Sequence, residues 1–204
     1  GYVWRLPTEA EWEYASRNSS ENPYGHKKLD PRMDKVEGYH EILDSIAWYS
    51  QNSSGHAHPV GKKEANSLGL FDMHGNLWEW CMDAVGKNKS CYASDRKTGV
   101  ADPYNSIGEW RSLRGGSFEA SFERCRSAYR GANSPSDKSD DLGFRVSLAP
   151  TLEKETKREK IELSSSFNEK TEAFGIRMIP VSAGEFIMGS RGWECSPHIL
   201  KHPI

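Results

Sequence analysis

Residues 114–145 read RGGSFEASFERCRSAYRGANSPSDKSDDLGFR. The run opens on Arg114 and the Gly115-Gly116 pair, carries Cys125 between two arginines, and closes on Leu142-Gly143-Phe144-Arg145. Gly, Asn, Ser and Asp dominate the interior, and these residues favour turns because they reach left-handed backbone or hydrogen-bond their own main chain. Strands are expected over 111–118 and 144–148, with a long turn-rich passage between them. The fold class read from this stretch is α+β and loop-rich, with a small twisted antiparallel sheet and few helices.

Outward from this stretch, residues 5–17 (RLPTEAEWEYASR) predict a helix over 8–16. Thr8 supplies a capping hydroxyl, Glu11 stands three residues on to reciprocate, and Pro7 lies just outside. Trp12 and Ala15, with Ala10 and Tyr14 nearby, give the helix an apolar side. Residues 69–80 (GLFDMHGNLWEW) place Asp72 and Glu79 around a glycine turn. That spacing allows carboxylate and carbonyl oxygens to converge on a hard cation such as calcium. The same residues also suit a purely structural use, with Asp72 capping a turn and Glu79 pairing with an arginine.

The three blocks, in this order, resemble the formylglycine-generating enzyme family, the sulfatase-modifying factors, over residues 1–148. The resemblance implies a C-type-lectin-like version of the loop-rich fold. It also implies a calcium loop built from the Asp72 side chain, the Gly75 and Leu77 carbonyls and the Glu79 carboxylate. Active members of the family carry two cysteines in the interval 117–130 that bind cuprous copper as thiolates. This chain has only Cys125 there, in the context RCRSAYR, which matches a structural position of the wider family. The expectation is therefore a non-catalytic domain without copper, with Trp78 and Ser117 matching pocket-lining positions of the active enzymes. Two enzymatic alternatives stand beside it: an oxidoreductase converting a substrate cysteine to formylglycine, and a domain of an ergothioneine-pathway sulfoxide synthase.

Composition bounds the partners. The 204 residues are 36% hydrophobic and 27% charged with a formal net charge of −2, enough apolar material for a core and no basic stripe to neutralise phosphates. Nucleic acid is not expected, and no apolar run reaches the length of a bilayer span. Four cysteines at irregular spacing suit neither a disulfide framework nor a CxxC zinc site; a Cys81–Cys91 bridge is compatible with the spacing without being fixed by it. His56 and His58 alternate and could approach His74 around a metal, but they lie in a polar loop-like run without an evident fourth ligand. Arg130, Asn133, Asp137 and Asp140 mark the exposed passage expected to recognise a protein, peptide or glycan ligand. Arg126 and Arg145 read as loop-pinning ion pairs. Nothing in the sequence assigns a compartment.

After residue 148 the composition changes. Residues 149–173 are dense in Lys, Arg and Glu and read as a solvated linker. Residues 174–204 open with short strand patterns on either side of Ala183-Gly184 and resemble the beginning of the same family's domain. The chain is thus expected to hold the C-terminal two thirds of one copy, a linker, and the N-terminal strands of a second copy or a permuted start of the first.

Overall fold

A computed structural model describes residues 1–17, 20, 22–25, 36–86 and 104–152. The elements follow in the order β1 (Tyr2–Arg5), α1 (Glu9–Arg17), α2 (Val36–Ile46), β2 (Trp78–Val85), β3 (Trp110–Arg114), a 3₁₀ turn (Phe122–Cys125), β4 (Gly131–Asn133), β5 (Leu142–Gly143) and β6 (Ser147–Pro150). Long irregular segments separate short strands, so the α+β, loop-rich expectation holds. The linker and second-copy expectations fall almost wholly outside the described residues.

One sheet has the order β4-β3-β2-β5. β2, β3 and β4 pair antiparallel, while β5 joins β2 in parallel at Trp78↔Leu142 and Glu79↔Gly143, so the sheet is mixed where an antiparallel one was expected. The strand expected over 111–118 stops at Arg114, because Gly115 and Gly116 turn the chain with φ of 96° and 78°. At Gly116 a Cβ would lie 2.8 Å from the Cys125 sulfur, so only glycine admits this approach. A separate two-stranded ribbon pairs β1 with β6, Tyr2↔Pro150 through Arg5↔Ser147, and brings the first residues beside residue 150.

The expected capping box is present at the start of α1. Thr8 Oγ1 accepts from the Glu11 amide at 3.1 Å, and Glu11 Oε2 accepts from the Thr8 amide at 2.8 Å. The buried face of the helix differs from the apolar one expected. Glu9, Ala10, Trp12, Glu13 and Ser16 are buried, whereas Tyr14 and Ala15 are half-buried. This face lies on the sheet through alternate residues of β2. Glu79 meets the Trp12 indole, Cys81 packs with Trp12 and Met73, and Asp83 accepts from the Glu9 amide. A second apolar cluster gathers Tyr24, Leu43, Ile46, Ala47, Tyr49, Ala120 and Cys125. A third, smaller cluster packs Val85 and Ala132 against Trp110, so several small cores support the loops.

Candidate functional site

Buried ion pairs organise the centre. Arg114, fully buried at the end of β3, donates to Glu9 Oε1 at 2.8 Å, to Glu13 Oε2 at 2.6 Å and to the Ser127 carbonyl. Arg130 grips the same Glu9 through Nε and Nη2, and Arg17 reaches Glu13 at 2.7 Å. Burial works to raise the carboxyl pKa of both glutamates, but Arg130 and Arg114 at Glu9, and Arg114 and Arg17 at Glu13, overturn it and leave both below the ordinary value. The i, i+4 spacing of Glu9 and Glu13 puts both on one helix face, which is how a single guanidinium reaches both. The spacing was legible in the sequence, and so was Arg17 one turn on; Arg114 and Arg130 lie more than a hundred residues away.

Arg130 therefore reaches inward to the helix carboxylate Glu9. Asn133 closes β4 opposite Arg111, and the exposed Asp137 and Asp140 lie on the loop beyond. The 134–140 loop is ordered locally: Asp137 Oδ2 accepts from the Ser134 amide at 3.2 Å and the Asp137 amide donates to the Ser134 carbonyl at 2.9 Å.

Trp78 and Ser117 are tied to the same residue. Both are buried, and both hold Asp141: the Trp78 amide donates to its carbonyl at 2.8 Å and Ser117 Oγ donates to its Oδ2 at 3.2 Å. The Trp78 and Tyr129 rings lie 5.9 Å apart, so the start of β2 also meets the segment just before β4, while Asp141 joins it to the loop after β4.

The motif at 72–79 clamps a loop. Asp72 and Asn76 both adopt left-handed backbone, φ 55° and 62°, which Asp and Asn tolerate better than most residues. Asp72 Oδ2 accepts from the Gly61 amide at 2.8 Å. The Asn76 side chain takes the His58 amide at 2.9 Å and gives to the His58 carbonyl at 3.1 Å. Between them, Gly75 sits so close to Trp48 that a Cβ would fall 2.0 Å from its carbonyl oxygen. Leu77 packs against Gly143. Asn76 was not among the expected site residues; its position in the HGN turn was the available signal.

Glu79 is engaged by protein donors. Arg145 binds both of its oxygens at 2.5 Å, and the Trp12 indole donates to Oε2 at 2.6 Å. Arg145 Nη2 also reaches the Phe71 carbonyl at 3.1 Å, the pinning role expected of it. Asp72 keeps one buried oxygen, Oδ1, without a hydrogen-bond partner. Of the expected calcium ligands Asp72, Gly75, Leu77 and Glu79, the Glu79 carboxylate is thus held by Arg145 and Trp12, while Asp72 retains an oxygen that no protein donor takes.

The histidines separate. His58 stacks on Trp48 with centroids 3.7 Å apart, His56 lies against His58, and Lys63 covers the Trp48 ring at 3.8 Å. His74 is buried elsewhere, with Nδ1 2.8 Å from the Cys125 carbonyl. Cys81 and Cys125 are free thiols at 0% exposure, in different core clusters. Burial pushes the Cys125 thiol up to about 12 and the Cys81 thiol well above its usual value. The described thiols therefore do not fit a two-thiolate copper site. Cys91 and Cys195 lie outside the described residues.

A family model described as sulfatase-modifying factor enzyme 1-like domain matches residues 2–149. The formylglycine-generating enzyme of Streptomyces coelicolor is 34% identical over 153 residues, covering 69% of this chain and 45% of that protein. Among solved structures, Treponema denticola variable protein 1 superposes with a TM-score of 0.58 at 34% identity, covering 72% of this chain and 48% of that one. PvdO from Pseudomonas aeruginosa gives a TM-score of 0.57 at 29% identity, with 74% and 54% covered. The chain spans about half the length of the curated relatives it matches.

Proposed function

This chain belongs to the sulfatase-modifying factor enzyme 1-like domain family, and from that premise we propose that it is a non-catalytic member serving as a binding module for a protein, peptide or glycan ligand on a C-type-lectin-like scaffold. One observation carries the reading. The single thiol in the interval 117–130, Cys125, is sealed in the core among Tyr24, Leu43 and Ala120. A thiol so buried is a poor thiolate, and thiolate is the form that binds soft metals and attacks. The family fold occurs both in proteins named as formylglycine-generating enzymes and in one named as a variable protein, so fold alone assigns no chemistry.

The surface offered to a ligand is the 134–140 loop, which exposes Asp137, Lys138 and Asp140 and is tied through Asp141 to Ser117 and Trp78. An exposed loop on a rigid support suits recognition because little ordering is left to pay for on binding.

The reading is tested by mass spectrometry of a sulfatase-type cysteine peptide incubated with the protein, cuprous copper, oxygen and reductant, beside a Cys125→Ala control. No aldehyde is expected with either protein. Conversion of the peptide cysteine by the unsubstituted chain would restore the oxidoreductase reading.

A further inference from the structure

Trp48 lies between two groups of its own chain. The His58 imidazole stacks on the indole with centroids 3.7 Å apart and 13° between the planes, and Lys63 Nζ stands 3.8 Å from the ring centroid. Two groups so near one ring would overlap on a single face, so imidazole and ammonium take opposite faces. The His58 side is fixed. Asn76 holds the His58 backbone at both its amide and its carbonyl, and His58 Nε2 lies 2.8 Å from the Ser53 carbonyl. On the other side the loop backbone is pinned around Lys63, by the Gly61 amide on Asp72 and by the Glu64 amide on the Ser45 carbonyl, both at 2.8 Å. The Lys63 side chain rests on the indole and donates to the Asp44 carbonyl.

The surroundings of Lys63 Nζ have the parts an ammonium needs. A π face attracts the cation, a carbonyl accepts its hydrogen, and the Asp44 carboxylate, held by Asn52 at 3.0 Å, adds a favourable charge. Lys63 fills this place at a cost, because burial pushes its pKa below the ordinary lysine value even against the Asp44 charge. Displacing it returns the charge to water on a flexible four-carbon stem and leaves the backbone bonds of the loop intact. We propose that this face of Trp48, with Asp44, is a recognition site for a primary alkylammonium, the group a partner's lysine side chain presents, and that Lys63 is its built-in competitor. The site uses neither the 134–140 loop nor the thiols, so it stands whether or not the domain is catalytic.

NMR titration of the full 204-residue chain tests this, read at the Trp48 indole resonance assigned by Trp48→Phe. The probes are acetyl-Gly-Lys-Gly-amide, its norleucine analogue and n-butylamine. In Lys63→Ala the lysine peptide is expected to shift the Trp48 resonance saturably. The parent chain should bind it at least about tenfold more weakly, since a site its own lysine fills nine-tenths of the time is open for about one-tenth. The norleucine analogue, which keeps a four-carbon stem and lacks the ammonium, should give no shift. Unchanged resonances of the other indoles report an intact fold. A lysine peptide that binds more tightly than n-butylamine assigns the site to a partner's lysine; the reverse order assigns it to free alkylamines. No shift in Lys63→Ala, a parent chain that binds equally well, or an equal response to the norleucine analogue would overturn the proposal.

Discussion

At Glu79, three donors from two distant parts of the chain converge on one carboxylate. Arg145 and Trp12 satisfy it in a site that is mostly buried, where removing one partner of an ion pair is costly because the other charge keeps its desolvation. Glu79→Ala should lower the unfolding free energy by roughly 3 kcal/mol. In denaturant melts the loss should be the same with and without a calcium chelator, since the carboxylate serves Arg145. A melting temperature that falls on chelation in the unsubstituted chain, and no longer does so in Glu79→Ala, would place an ion at Asp72, Gly75, Leu77 and Glu79. Arg130 shows the limit of reading charge from sequence. It stands between a turn and the short strand β4, yet its guanidinium belongs to Glu9 on the helix.

The helix α1 owes its position largely to its first turn. Its capping box satisfies first-turn amides locally, Arg5 holds Glu11 at 2.6 Å, and Asp83 on β2 takes the Glu9 amide at 2.6 Å. Thr8→Ala should therefore cost about 1 kcal/mol in urea unfolding. Glu11→Ala should cost more, since it also strands Arg5. A Thr8→Ala midpoint equal to that of the parent would show that Asp83 and Glu11 hold the helix start without the hydroxyl. β2 makes the opposite case. Its alternate residues Glu79, Cys81 and Asp83 mix charge and thiol, so no apolar period marks the strand; burial becomes tolerable only because α1 brings an indole, a packing face and a free amide to meet them.

Across the whole molecule, buried charge makes stability depend on pH in two opposed ways. Asp83 is raised from 3.8 to about 6, by burial first and by the Glu9 charge second, against the amides of Glu9 and Asn105. The folded state then binds this proton more tightly than the unfolded state, so the Asp83 contribution falls as pH rises from about 4 to about 6. Glu9 and Glu13, held below their usual value, contribute stability above the ordinary carboxylate range and lose it as pH drops beneath that range. Relative to the parent, Asp83→Asn should gain stability between pH 4 and pH 7 by up to an order of 3 kcal/mol. A difference between the two proteins that stays constant over that interval would show that Asp83 does not titrate there.

Local chemistry was readable along the chain because it acts over a few residues. Thr8 and Glu11 announce a capped helix and the turn-rich interior of 114–145 announces loops, each resting on backbone preference or on bonds between near neighbours, whereas the break at Gly115-Gly116 fell inside a strand expected over 111–118. The missing second thiol between 117 and 130 was likewise visible as plain residue identity. Three features needed the folded chain. Arg114 with Glu9 and Glu13, Arg145 with Glu79, and Asn76 with His58 all join residues separated by a sheet or a long loop. The parallel β5 and the β1–β6 ribbon are pairings of the same long-range kind. A buried arginine looks like a surface arginine in sequence. Only the partner that compensates its desolvation distinguishes the two, and tertiary packing supplies that partner.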